Sequence, residues 1–303
     1  MNPKPKGILP KNDSCPADDS SRTGRPPPRR NLRLGATCWI GISILLVWLF
    51  VALFGPLLAP YPQGEMISYD SFAPMGEVGI LGGDYIGRDI FSRLLFGARM
   101  TMGLALIATV LAFVLGGVFG FLAAAGGGWV DQVLSRLNDA IMAFPSIMLA
   151  LIVIAALGTS IPVLIIMVCL IEATPVFRLT RALGMDISVM DFVEAARARG
   201  ENISWIVRRE IFPNTIVPLA AEFGLRYTYS ILFISALSFL GLGVQPPQAD
   251  WGVMVRENMI GLTYGSPAAV IPAAAIGSLT VGINLIVDAF VEHGNRDVSE
   301  EMM

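Results

Sequence analysis

The sequence predicts an all-α protein, a polytopic membrane bundle of six transmembrane helices with one short additional helix in a cytoplasmic loop. Hydrophobic residues make up 54% of the 303 positions and charged residues only 15%, whereas soluble domains average about 25% charged residues. Two stretches, residues 100–130 and 140–171, contain no charged side chain, and each exceeds the ~20 residues that one bilayer crossing requires. These observations argue against a soluble fold.

The first part of the chain divides into an arm, a helix and a connection. Residues 1–34 are basic and rich in Pro and Ser, so we expect a disordered cytoplasmic arm. The first transmembrane helix is predicted over 35–59 and ends at Pro60-Tyr61-Pro62, because proline opposes helix continuation. Its length exceeds that of a signal-peptide core, which favours a retained span. Residues 60–99 then form a periplasmic connection.

The remaining five spans are predicted within residues 100–291, followed by a cytoplasmic tail at 292–303. Gly126-Gly127-Gly128 ends the second span, and Gly158 to Pro162 divides residues 140–171 into a tight hairpin. Residues 178–213 hold six arginines, so this stretch is expected outside the hydrocarbon. The fifth and sixth spans are predicted at 215–242 and 267–287.

The distribution of positive charge predicts the orientation. With the N-terminus inside, sixteen Lys and Arg residues lie in inner segments and four in outer ones. Short loops on the cytoplasmic side are the ones that carry excess Lys and Arg. We therefore predict a multi-pass membrane protein with both termini in the cytoplasm, which requires an even number of spans.

The chain has few residues of the types that form catalytic or metal-binding sites. It has three cysteines without CxxC spacing and one histidine, His293. Metal sites need several such ligands close together, and no GxxxxGK[ST] phosphate loop occurs. We predict that the protein is not an enzyme, has no metal site and binds no cofactor of its own.

The inner loop at residues 186–213 contains the most informative pattern. Val189, Phe192, Val193 and Ala196 recur at helical spacing, which predicts an amphipathic helix over about 188–200. Ser188 and Asp191 are expected to cap its start, Gly200 to end it, and Pro213 to end a second short segment at 203–211. The helix either caps the bundle or docks into a partner's groove.

Four motifs in order resemble a known family. Glu194-Ala195-Ala196, Gly200 and Pro213 resemble the EAA loop of permease subunits of ATP-binding-cassette (ABC) importers. Residues 87–99, 143–146 and 237–247 are similar to the C-subunit branch of the dipeptide, oligopeptide and nickel permeases. The ATPase-coupling residues implied by the resemblance are Asp191, Phe192, Glu194, Ala195, Ala196, Arg197, Gly200 and Pro213.

The resemblance also implies partners and a cargo. A second permease would complete the pathway, and two cytoplasmic ATPase subunits would hold ATP and Mg. A periplasmic solute-binding protein would deliver small peptides, or related solutes such as nickel chelates, and no nucleic acid is implied. The alternative function is a self-sufficient channel or secondary transporter, which would predict an internal inverted repeat. No clear repeat is visible.

Ionisable residues inside predicted spans are candidate pathway or interhelix groups, because charge is costly in lipid. Glu172 is the most isolated of them in the sequence and would face either a partner subunit or a cavity. Glu222 and Arg226 are four residues apart and can pair on one helix face, which favours an internal brace over pathway lining. Asn284 and Asp288 are expected at the interface.

The outer connection and the second span contain the remaining candidates. Gly116 and Gly120 are spaced for close helix approach. The connection is either a solvated loop with an interfacial helix at 90–98 or a docking surface for an external binding protein. Its family-type motif contributes the candidate residues Gly87, Arg88, Asp89, Gly97 and Arg99.

Overall fold

The computed structural model describes residues 36–77 and 79–301, with side chains described up to residue 292. The predicted arm at 1–34 lies outside the described residues. Within them the chain is all-helical, with two isolated β-bridges and no strand. The helices are α1 Ala36–Leu58, α2 Ile90–Gly126, α3 Gly128–Met142, α4 Ser146–Leu157, α5 Ile161–Ser188, α6 Asp191–Ala198, α7 Ile203–Ile206, a π-helical turn Val207–Ile211, α8 Phe212–Phe239, α9 Trp251–Asn258, a 3-10 turn Met259–Tyr264 and α10 Val270–Glu301.

Four of the described helices, α1, α2, α5 and α10, are long and apolar enough to cross a membrane. The pair α3 and α4, bent by 85° at its break, adds a fifth crossing if it forms one broken span. Helix α8 lies where the fifth span was predicted but is not in this set. Its middle contains Glu222 and Arg226, which lower its hydropathy.

Helix α2 is 37 residues long, roughly 55 Å, and starts ten residues before the predicted second span. The helix predicted separately at 90–98 is its first part. Asp89 caps this start, because its side chain accepts a hydrogen bond from Ser92 N at 2.8 Å. Ile90 is 1% exposed, so this first turn of α2 is packed inside the protein.

Two proline positions behave differently from the prediction. Pro145 separates α3 from α4, so residues 140–157 do not form one helix; proline lacks an N–H group and disfavours helical geometry in the preceding residue. Pro213, expected to end a helix, instead lies in the first turn of α8, where the missing N–H is tolerated. The π-helical turn before it, closed by Phe212 N to Val207 O, lets the chain continue.

Helices α2 and α5 pack closely through the predicted glycine pair. A Cβ on Gly116 would lie 2.5 Å from Ala173 O, and one on Gly120 would lie 2.7 Å from Phe177 O. Thr180 Oγ1 also donates a hydrogen bond to Gly116 O at 3.1 Å. The close approach predicted from the sequence is confirmed, and α5 continues beyond it to Ser188.

Contacts between the helices show which helix ends lie at the same end of the bundle. The first half of α1 contacts the middle of α10, where a Cβ on Gly41 would lie 2.7 Å from Gly282 O. The end of α1 contacts the start of α2, since Gly55 lies against Leu95. The end of α2 meets the start of α8, beside α6. The inner end is our name for the end of the bundle at which α1 and α8 begin and α2 and α5 finish.

Candidate functional site: the α6 segment and a charged cavity

Helix α6 is shorter than the sequence predicts. It covers Asp191–Ala198, eight residues or roughly 12 Å, and its N-cap is Met190, which makes no side-chain cap. Ser188 Oγ instead donates to Met185 O at 2.9 Å, inside the last turn of α5. The predicted cap by Ser188 is therefore wrong, because α5 extends far enough to use that hydroxyl.

The apolar residues of this segment divide between two faces. Val193 and Ala196 are fully buried in a cluster with Phe121, Ile187 and Ile206, from α2, α5 and α7. Val189, Met190 and Phe192 are 80%, 48% and 39% exposed. One face therefore anchors α6 to the bundle, and an apolar edge, formed by Val189, Met190 and Phe192, remains open to a partner.

Gly200 ends this segment in the left-handed region, with φ +84°. Gly200 N donates to Arg197 O at 2.9 Å, and Glu201 N donates to Ala196 O at 3.2 Å, which satisfies carbonyls at the helix end. No atom lies within 4 Å of a Cβ at this position. The glycine is required by backbone conformation and not by space, as predicted.

The predicted pair of Glu222 and Arg226 forms on α8, with Arg226 Nε 2.7 Å from Glu222 Oε1. The Nε–H is not aligned with that oxygen, so the contact is an ion pair without a good hydrogen bond. Arg226 Nη1 also donates to Glu172 Oε2 at 3.3 Å, across to α5. Glu172 is therefore not isolated; it belongs to a charged triad with Arg226 and Glu222.

A cavity of about 220 Å³ opens beside this triad. Its polar lining includes Glu172, Thr174, Arg226 and Ser146, and Phe144 covers part of its apolar side. It therefore lies where the break between α3 and α4 meets α5 and α8. Irregular backbone within a membrane protein is tolerated where it is buried in protein or lines a cavity, and this break lines the cavity through Phe144 and Ser146.

Asn284 and Asp288 lie away from this cavity. Asn284 Oδ1 accepts a hydrogen bond from Thr228 Oγ1 at 3.4 Å, which links α10 to α8. Asp288 is exposed on α10. Neither lines the cavity, so of the candidates inside the spans, the structure brings together only Glu172, Glu222 and Arg226.

The outer connection contains a buried ion network and is not simply a solvated loop. Arg88 contacts Asp84 at 2.6 Å and Glu257 at 2.7 Å, and Arg93 contacts the same two carboxylates. Side-chain exposure of these four groups is at most 10%. Sequence reasoning missed Glu257, because it lies 164 residues after Arg93.

The other motif residues of this region have structural surroundings. Gly87 has φ +79°, and a Cβ on Gly97 would lie 2.8 Å from Trp251 Cδ1 on α9. Arg99 is exposed. Nearby, the side chain of Asp250 caps α9 and accepts a hydrogen bond from Thr101 Oγ1 at 2.6 Å. Complete burial raises the pKa of this carboxyl above its ordinary value.

Comparison with known proteins shows the family of this chain. Residues 116–300 match the family described as binding-protein-dependent transport system inner membrane component. The chain is 31% identical over 261 residues to the glutathione transport system permease protein GsiD of Pectobacterium atrosepticum, covering 86% of each chain. It is 34% identical over 260 residues to GsiD of Escherichia coli O6:K15:H31, covering 86% of this chain and 85% of the relative.

A third relative matches almost the whole chain. The dipeptide transport system permease protein DppC of Alkalihalophilus pseudofirmus is 29% identical over 302 residues, covering 98% of this chain and 97% of the relative. These relatives are transport permeases and not enzymes, and they give no support to a self-sufficient channel or secondary transporter. The chain belongs to the family of binding-protein-dependent transport system inner membrane components, as a permease subunit of an ABC importer of the peptide type.

Proposed function

We propose that this permease forms, with a second permease subunit, the pathway for uptake of small peptides across the bacterial inner membrane. The printed names of its relatives include dipeptide and glutathione transport systems, and both kinds of solute are small peptides. An external binding protein would deliver the solute. Two cytoplasmic ATPase subunits would bind ATP and Mg, since this chain has no phosphate loop of its own.

The proposed topology has six crossings with both termini inside. Helices α2 and α5 run in the same direction, so the broken pair of α3 and α4 would be the crossing between them. Helix α8 starts at the inner end and would be an outward crossing, although its hydropathy is low. Its charges are compensated within the protein by the contacts of Arg226 to Glu172 and Glu222, which reduces the cost of placing them in a membrane. The excess of Lys and Arg at the inner end supports this orientation.

The observation that carries the coupling proposal is the two-faced α6 segment. Val193 and Ala196 anchor it, so a force on its open edge would reach α5 and α8 without first displacing the helix. We infer that Val189, Met190 and Phe192 enter a groove on an ATPase subunit, a helix-in-groove mode of recognition. The other coupling residues, taken from the EAA motif, are Asp191, Glu194, Ala195, Ala196, Arg197, Gly200 and Pro213.

On the outer side, the proposed role of the motif residues is indirect. Arg88 is buried in the ion network, Asp89 caps α2, and Gly97 allows α9 to approach. They would hold a rigid surface for the external binding protein. Arg99, which is exposed, remains available for direct contact.

The test is copurification of the complex followed by an activity assay. The chain carries a C-terminal tag and is expressed with its neighbouring genes, and proteins that elute in fixed ratio are identified by mass spectrometry. We expect a second permease and ATPase subunits, and Phe192→Asp should release the ATPases. Phe50→Ala, an exposed apolar change on α1, is the control. Recovery of this chain alone as a homo-oligomer would contradict the proposal.

A further inference from the structure

We propose that the cavity beside α3, α5 and α8 binds the positively charged amino group of the transported solute, with Glu172 as the principal ligand and Glu222 as its support. This inference rests on the proposed uptake of peptides and assigns one contact within that pathway. It concerns a solute with a free amino group, and it predicts discrimination against the same solute when that group is acylated.

The charge balance of the triad favours the binding of a further cation. Glu172 and Glu222 contribute two negative charges and Arg226 one positive charge, so the triad carries an excess negative charge when both carboxylates are ionised. Among the other arginines of α2 and α5, Arg93 pairs with Asp84 and Glu257, and Arg181 pairs with Asp131. Arg226 is the one Lys or Arg that forms ion pairs with Glu172 and Glu222 within the described residues.

Of the two glutamates, Glu172 has the carboxylate that is more available to a ligand in the cavity. Arg226 lies 2.7 Å from Glu222 but 3.3 Å from Glu172, so the guanidinium is associated more closely with Glu222. The Glu172 carboxylate makes its one hydrogen bond within the described part of the chain through Oε2. Its side chain is 8% exposed and lines the cavity. Its Oε1 is therefore free to accept from an ammonium group inside the cavity.

The cavity fits one end of a small peptide. Its volume of about 220 Å³ corresponds to about seven water molecules at ~30 Å³ each. Ser146 and Thr174 add hydroxyl groups to its wall, and Phe144 adds apolar surface. The wall therefore combines polar groups that can orient a solute with apolar surface that can contact its side chain, a combination found in small-molecule sites. A second permease subunit would close the side that this chain leaves open.

The experiment compares two forms of one dipeptide, with a free and with an N-acetylated amino end. The complete complex and its binding protein are reconstituted in lipid vesicles, and ATP-dependent uptake of each form is measured for wild type and Glu172→Gln. The ratio of variant to wild type for each peptide cancels the preference of the binding protein. Because Glu172→Gln leaves the balanced pair of Glu222 and Arg226, we expect the variant to fold and to assemble with its partner subunits, which size exclusion of the purified complex checks.

We expect Glu172→Gln to reduce uptake of the free-amine peptide about tenfold more than uptake of the acetylated peptide. This factor corresponds to the loss of one charge-assisted hydrogen bond. Asp139→Asn is the control, because Asp139 is an exposed carboxyl on α3 outside the cavity. It should change the uptake of both peptides by the same factor. If wild type does not transport the acetylated form, thermal stabilisation of the complex by millimolar peptide replaces uptake as the measurement.

Three results would overturn the inference. Equal losses of uptake for both peptides in Glu172→Gln would assign a structural role to Glu172. A loss that depends on pH in the same way for both peptides would assign the excess charge to a proton. A wild-type complex that transports neither peptide would refute the proposed function together with this inference, whereas the first two results would leave the proposed function intact.

Discussion

Replacing Gly116 by alanine should loosen the contact between α2 and α5. The new Cβ would lie 2.5 Å from Ala173 O, a backbone atom, where ordinary contact begins at 3.4 Å. The helices must therefore separate or rotate, and overpacking of this kind costs about 1–3 kcal/mol. Gly117 is the matched control, because it is the next residue in the same helix and a Cβ there meets nothing within 4 Å.

The assay is thermal denaturation of the purified complex in mild detergent, followed by loss of the intact species on size exclusion. We expect Gly116→Ala to lower the midpoint by roughly 2–4 °C per kcal/mol lost. Gly117→Ala should match or exceed wild type, since alanine is the better helix former. Equal midpoints for the two variants would refute the packing argument, because both change the helix propensity of α2 by the same amount.

Three further predictions concern other parts of the chain. Gly200→Ala forces a side chain into φ +84°, at about 1–2 kcal/mol, and should lower solute-stimulated ATPase activity, while Gly200→Asn should lower it less. Glu257→Gln leaves Arg88 and Arg93 sharing one carboxylate and should cost ~3 kcal/mol, seen as a lower denaturation midpoint. Burial raises the pKa of Asp250, so its neutral form is favoured in the folded protein. That stabilisation is present below the unfolded pKa of ~3.9 and lost as pH rises through the folded value. Wild type should therefore lose stability relative to Asp250→Asn as the pH rises above ~4, and parallel pH profiles would contradict this.

Local patterns predicted several features correctly. The left-handed end at Gly200, the close approach at Gly116 and the contact of Glu222 with Arg226 all depend on residues within one turn or one short motif. Backbone conformation and spacing along a helix settle such features before any distant contact forms. The signal for them is therefore contained in a few adjacent residues.

Contacts between distant residues were not predictable in the same way. Glu172 meets Arg226 across 54 positions, and Arg93 meets Glu257 across 164. Both depend on how helices pack, and one sequence does not specify which stripe of each helix meets its neighbour. The start of α6 shows the same limit, because α5 continues to Ser188 and takes the hydroxyl that local pattern assigned to a cap.

The apolar runs and the low charge indicate a membrane helical bundle, and the uneven distribution of Lys and Arg predicts its orientation, because transfer into lipid depends on composition and length. The resemblance of the EAA segment to a known family is carried by adjacent residues in the same way. Tertiary structure alone joins Glu172, Arg226 and Glu222 beside one cavity and divides α6 into an anchored face and an open edge. These arrangements follow from helix packing, in which side chains far apart in sequence exclude water and neutralise one another only after the bundle has assembled.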